Sequence, residues 1–157
     1  MKRLASAMLL AAVLLAMPAS RQFARAGSDG APGLPDGPHL AVLIYATLGA
    51  LNQANVTGNY SVVRDLAAPD FQKINTPARL AVIFFKHRQA RLDFATALIH
   101  EPSLTKPAAI DEKGLLHLTG FIPSEGLRLN FDFTYQRVDG RWRLFGLTVS
   151  PARQKAS

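Results

Sequence analysis

The chain has 157 residues, no cysteine, and 18 basic against 11 acidic residues, which gives a formal net charge of +7. The lack of cysteine excludes disulfides, thiol catalysis and lipid attachment through a cysteine side chain. Residues 1–26 contribute four of the basic residues, Lys2, Arg3, Arg21 and Arg25, and no acidic one. Residues 27–157 therefore carry 14 basic and 11 acidic residues, a net charge of +3. That charge is ordinary for a protein surface and does not indicate a nucleic-acid partner.

Residues 1–26 have the layout of a cleavable signal peptide. Two basic residues, Lys2 and Arg3, precede an unbroken apolar run over 8–17, and residues 24–26 (Ala-Arg-Ala) offer small side chains to a signal peptidase. The run is shorter than the roughly 20 residues that cross a bilayer, although an uncleaved anchor is the alternative. The pattern predicts a periplasmic or secreted bacterial protein with no membrane span after cleavage, since exported animal domains of this size usually carry disulfides.

The remaining chain is predicted to form one folded domain over residues 39–150. Residues 27–38 are rich in Gly, Pro, Ser and Asp, a composition typical of a flexible linker. Residues 151–157 are predicted to be a disordered tail. Between Pro38 and Leu51 apolar residues recur at three- and four-residue spacing, which predicts an amphipathic helix.

Two further helices are predicted before residue 90. The polar run over 52–57 indicates a break, after which Thr57 is expected to cap a short helix around residues 60–66. Thr76 and Pro77 then open a third helix, because a capping threonine is followed by proline at the first helical position. Apolar spacing continues that helix to His87 or the residue after it.

Residues 91–103 fit either a short helix or a first strand, and a strand near residues 98–101 is favoured. Pro102 and Pro107 are expected to frame a loop after it.

In the last third of the domain, residue types alternate along the sequence with a period of two, which predicts an antiparallel sheet. Strands are expected over 115–122 and 127–136, the second with one apolar and one polar face. Asp139-Gly140 predicts a tight hairpin, and residues 141–149 return as the partner strand. The alternation shifts phase at Phe145-Gly146, which predicts a β-bulge.

Helices followed by a meander predict an α+β domain in which N-terminal helices pack on a curved antiparallel sheet. Over roughly residues 39–150 the chain resembles the nuclear transport factor 2-like, or cystatin-like, superfamily, and within it the small exported bacterial proteins of unassigned function. The resemblance rests on residues 66–71 (Leu-Ala-Ala-Pro-Asp-Phe), on the third helix and on residues 140–149. It implies a pocket between helices and sheet. Because the superfamily includes isomerases, dehydratases and cyclases as well as non-enzymatic binding domains, the fold does not decide the function.

Four side chains are candidates for acid–base catalysis. His87 could pair with Asp93, but a histidine at the end of a basic helix also complements the helix dipole without any catalytic role. His117 and Asp132 could face the same way on neighbouring strands, but Asp132 shares a polar strand face, which favours a surface ion pair. No motif for serine, metal or phosphate chemistry occurs, so no catalytic residue is assigned and no cofactor or metal is predicted.

The apolar residues that should form the core, Phe71 among them, would also line any pocket. The lining is predicted to comprise Leu43, Phe84, Leu118, Phe131, Phe133, Trp142 and Leu144. The favoured hypothesis is an exported non-enzymatic domain that binds a small apolar ligand or an envelope protein partner, with a homodimer through the sheet as one form of partnership. The alternative is a small isomerase-like, dehydratase-like or hydrolytic enzyme with a His/Asp pair in the pocket.

Overall fold

The computed structural model describes residues 33–124 and 127–153. These residues form an α+β domain, as predicted, in which helices precede an antiparallel sheet. The predicted signal peptide (1–26), residues 27–32 of the predicted linker and residues 154–157 of the predicted tail lie outside the described residues. The helices are α1 (Gly37–Thr57), α2 (Ser61–Leu66), α3 (Pro69–Ile74), α4 (Pro77–Ile83), α5 (Phe85–Gln89) and a 3-10 helix (Ala95–Ile99). The strands are β1 (Ser103–Leu104), β2 (Ala109–Ile110), β3 (Leu115–Ser124), β4 (Leu127–Val138) and β5 (Arg141–Arg153).

The sheet is a meander in the order β1-β3-β4-β5, with β2 pairing along the same edge of β3 as β1. The predicted hairpin is confirmed, because Asp139 and Gly140 both have positive φ angles between β4 and β5. The predicted bulge is also confirmed. Thr134 pairs with Gly146 while Tyr135 pairs with Leu144, so Phe145 is the extra residue.

One apolar cluster joins the helices to the sheet. Along α1 the buried face recurs at helical spacing, and alternate residues of β3 and β4 point towards it. Phe71 is buried in this cluster, as predicted. The largest fully buried side chains are Tyr60, Tyr135, Phe133, Ile44, Leu48, Leu51, Leu80, Leu116, Leu118 and Ile122.

The predicted break over residues 52–57 is wrong, because α1 continues to Thr57. Asn52 and Asn55 are buried within the helix, where the Asn52 side chain accepts the Phe94 backbone N–H and the Asn55 side chain accepts the Tyr60 hydroxyl. The helix ends where Gly58 adopts a left-handed conformation, with φ of 75°. Thr57 therefore closes α1 instead of capping α2.

The helical region is also more divided than the sequence indicates. α3 was not predicted, and the expected third helix is split at Phe84, whose φ and ψ of −94° and 14° interrupt it between α4 and α5. The strand favoured near residues 98–101 is wrong, because Ala95–Ile99 forms a 3-10 helix. β1 and β2 lie within and just after the expected loop. These elements are too short to give a periodic pattern of their own.

Both ends of the ordered domain extend beyond the predicted limits. α1 begins at Gly37, and the Asp36 side chain accepts a hydrogen bond from the His39 backbone N–H at 3.0 Å. β5 reaches Arg153, so residues 151–153 pair with residues 127–129 of β4. Among the described helices α1 is long and apolar enough to cross a membrane. Its buried face packs in the domain core.

Candidate functional site

A cavity of about 180 Å³ lies between α1, α2 and the hairpin of β4 and β5. Helical spacing places the α1 contribution on one face of that helix. Trp142 stands just after the hairpin turn and contributes the largest ring. The lining residues are Leu43, Ala46, Thr47, Ala50, Val63, Leu66, Tyr135, Trp142 and Leu144.

The polar atoms at the cavity bond to one another and carry no charge. The Tyr135 hydroxyl donates to the Leu43 carbonyl oxygen at 3.0 Å, and it lies 2.9 Å from the Thr47 hydroxyl. Since the single Tyr135 proton is used, the Tyr135 oxygen accepts from Thr47. Burial raises the pKa of Tyr135 far above its ordinary value, so this hydroxyl stays neutral. The site therefore offers a mostly apolar surface whose polar groups, the Tyr135 and Thr47 hydroxyls, are uncharged.

The structure divides the predicted pocket residues into two groups. Leu43, Trp142 and Leu144 line the cavity. The other four are buried in the core and do not line it, namely Phe84, Leu118, Phe131 and Phe133. Sequence reasoning missed Thr47 and Tyr135, although Thr47 continues the helical spacing of Leu43 and Tyr135 occupies an inward position of β4.

His87 and Asp93 are not joined by a hydrogen bond or ion pair among the described residues. The Asp93 carboxylate instead accepts the Ala95 backbone N–H at 2.8 Å, at the start of the 3-10 helix. The His87 ring lies between the rings of Phe84 and Phe94, at centroid distances of 5.3 and 5.9 Å. Its buried Nδ1 has no hydrogen-bond partner among the described residues. Burial lowers the pKa of His87. The neighbours of this ring are thus aromatic, and Asp93 does not pair with it among the described residues.

His117 pairs with a carboxylate that sequence reasoning did not identify. Its Nε2 lies 2.9 Å from Asp111 Oδ2, whereas Asp132 stands on the same face of the sheet opposite Thr119. No hydrogen bond joins Asp132 to His117 among the described residues. The only sequence signal for Asp111 is its place before Lys113-Gly114 at the turn into β3.

The His117–Asp111 pair lies on the surface, outside the lining of the cavity. Asp111 also accepts the backbone N–H groups of Lys113 and Leu115, each at 2.9 Å. The hydrogen bond with His117 and then that from Leu115 hold the pKa of Asp111 below its ordinary value. The aspartate is thereby fixed at a turn, and its hydrogen-bonded pair with His117 is partly exposed at the surface, whereas the pair expected with Asp132 does not form among the described residues.

Within the described part of the chain, no three His, Asp or Glu side chains come together as metal ligands would. No family model, curated protein or solved structure matches the chain. The cavity next to Trp142 is the candidate site because its lining is uncharged and mostly apolar around the hydrogen-bonded Tyr135 and Thr47 hydroxyls.

Proposed function

We propose that this chain is an exported, non-enzymatic domain of the nuclear transport factor 2-like type that binds a small apolar ligand in the cavity beside Trp142. The observation that carries the proposal is a preformed cavity lined by uncharged residues, whose polar groups already bond to each other. A site lined by uncharged, mostly apolar residues favours uncharged ligands, because a charged group would lose part of its hydration without gaining an ionic partner in the lining.

The cavity volume limits the size of the ligand. A dry apolar cavity of roughly 150 Å³ accommodates benzene, whereas sites for drug-sized molecules measure roughly 300–1,000 Å³. At about 180 Å³, the cavity suits one ring or a short aliphatic chain. A larger ligand would have to extend past Leu66, whose side chain is exposed at the cavity.

The signal-peptide pattern of residues 1–26 supports the export part of the proposal, since it directs a chain to the periplasm or outside the cell. The enzyme alternative has less support. Neither His87 nor His117 lines the cavity, and the Asp111 partner of His117 is engaged in a surface turn.

Trp142 is the single tryptophan of the chain, so its fluorescence reports on this site. We expect toluene and 1-hexanol to change the Trp142 emission in a saturable way, and benzoate to leave it unchanged because of its charge. Ala50→Leu should abolish the response by filling the cavity. Val42→Leu, an exposed change on the same helix outside the lining, should preserve it.

Native mass spectrometry of the protein isolated from an exporting host gives the companion test, through the mass of any small molecule retained. A fluorescence response that is absent from the parent protein, or unchanged in Ala50→Leu, would refute the proposed site. Far-ultraviolet circular dichroism of both variants separates loss of the cavity from loss of the fold.

A further inference from the structure

A second surface feature stands apart from the cavity, at the corner where α4 ends and α5 begins. Val82, Ile83 and Phe85 are 76%, 53% and 50% exposed there. Arg79 and Lys86 flank them and are also exposed. These five residues are called the α4–α5 patch. Single exposed apolar residues are normal on protein surfaces, but three exposed apolar side chains within four positions form a cluster that calls for an explanation.

The interruption at Phe84 produces this patch. Leu80 and Phe84 are buried four residues apart, so they hold the corner against the core. Arg79, Val82 and Ile83 have the spacing that places them together on another face of α4. Phe85 follows the interruption and projects outward at the start of α5.

Arg88 fixes the corner from the protein side. Its guanidinium donates to the Tyr60 hydroxyl at 2.9 Å and to the Ala81 carbonyl at 2.8 Å. It also lies 5.9 Å from the centre of the Phe85 ring. Arg88 therefore ties α5 to α4 and to Tyr60, so the backbone that carries the exposed apolar side chains is fixed on the domain.

The charged residues of the α4–α5 patch itself, Arg79 and Lys86, have one sign. Residues 71–92 contain five basic residues and no acidic one. Lys73 pairs with Asp70 and Arg88 is engaged internally. Arg79, Lys86 and Arg91 form no ion pair with another described residue.

We infer that the α4–α5 patch docks the protein on an anionic phospholipid surface. Val82, Ile83 and Phe85 would enter the boundary between headgroups and acyl chains, while Arg79 and Lys86 meet lipid phosphates, the division of labour seen in interfacial helices. A symmetric dimer through this patch is disfavoured, because it would bring like-charged groups of two copies together. The inference is independent of what occupies the cavity beside Trp142.

Vesicle binding of the protein isolated from an exporting host tests this inference. We expect binding to vesicles of phosphatidylcholine with 30% phosphatidylglycerol, little binding to phosphatidylcholine alone, and release by about 0.5 M NaCl because salt screens exposed charges. Val82→Ser with Phe85→Ser should weaken binding about tenfold or more through lost apolar insertion. Arg79→Gln with Lys86→Gln should weaken it by a similar factor through lost attraction.

Matched controls come from exposed residues away from the patch. Val42→Ser with Ile99→Ser removes exposed apolar surface, and Lys106→Gln with Lys113→Gln removes two exposed charges. Both pairs should bind as the parent protein does. Equal binding of parent and patch variants, or equal binding to both vesicle types, would overturn the inference. Patch-dependent dimers in sedimentation, without vesicle binding, would also overturn it by assigning the patch to a second copy of the chain.

Discussion

Two buried asparagine side chains explain why the first helix runs on past the break predicted at residue 52. Asn52 Oδ1 accepts the Phe94 backbone N–H at 2.8 Å, and Asn55 Oδ1 accepts the Tyr60 hydroxyl at 2.6 Å. Asparagine ordinarily favours turns and helix caps because its side chain competes for backbone hydrogen bonds. Here both side-chain oxygens accept hydrogen bonds from groups outside α1, and the helix continues through the two residues.

Replacing Asn52 by alanine is expected to lower the free energy of unfolding by about 1–3 kcal/mol, because the buried Phe94 N–H loses its acceptor. Gln53→Ala is the matched control, since Gln53 is the exposed neighbour on the same helix and surface changes stay within about 0.5 kcal/mol. Urea unfolding measures both values. Equal stabilities of the two variants would show that the Asn52 hydrogen bond contributes nothing.

His87 should make stability depend on pH. Burial lowers its folded-state pKa below 6.5, so the unfolded chain binds the proton more tightly than the folded one. The folded protein therefore loses stability as pH falls from about 6.5 through the folded pKa, and His87 contributes no pH dependence well above 6.5.

Urea unfolding at pH 7.5 and pH 5 tests this prediction. His87→Leu should reduce the difference in free energy of unfolding between the two pH values. His100→Gln, a change at an exposed histidine, should leave the difference as it is in the parent protein. A pH dependence that survives His87→Leu unchanged would contradict the assignment to His87.

At the scale of elements, regular patterns were predictable and short pieces were not. β3, β4 and β5 carry enough alternating residues for the sheet, the Asp139-Gly140 hairpin and the Phe145 bulge to be read from the sequence. β1 has only two residues and depends on its pairing with β3. A two-residue strand has no sequence pattern of its own, because its extended conformation results from pairing with the neighbouring strand.

Gly120 is the residue of β3 that permits β1 to pair so closely. A Cβ atom there would overlap the Ser103 carbonyl oxygen and lie 2.9 Å from the Phe131 ring and 3.0 Å from the Leu104 Cα. We expect Gly120→Ala to cost about 1–3 kcal/mol of stability, the range for overpacking. It should also speed hydrogen exchange of the Thr105 amide, which donates to the Thr119 carbonyl beside Gly120.

Gly49, unlike Gly120, has room for a Cβ atom. It lies in the interior of α1, where an added Cβ would meet only the Leu98 Cδ1 at 4.0 Å. Gly49→Ala should therefore stabilise the protein by about 0.5–1 kcal/mol through helix propensity. Urea unfolding of both variants tests these predictions. A Gly49→Ala protein that is less stable than the parent would contradict the open space described at Gly49. A Gly120→Ala protein as stable as the parent would contradict the close packing described at Gly120.

At the scale of the whole molecule, the sequence could specify the fold class but not the cavity. Phe133 and Trp142 both belong to apolar strand patterns, yet Phe133 fills the core and Trp142 lines an open space. The cavity that separates α1 and α2 from the hairpin makes the difference. No local pattern encodes that separation, and for the same reason Asp111 could not be recognised as the partner of His117.

Because helices and sheet share one buried cluster, the domain should unfold as a single cooperative unit. Leu48 lies fully buried in α1, and Leu48→Ala is expected to cost about 2–5 kcal/mol. The exposed change Val42→Ala should have little effect. Trp142 fluorescence reports on the hairpin and far-ultraviolet circular dichroism on the helices, and we expect Leu48→Ala to shift both urea midpoints equally. Separate midpoints would mean that α1 detaches from the sheet first, and the cavity between them would then open before the sheet unfolds.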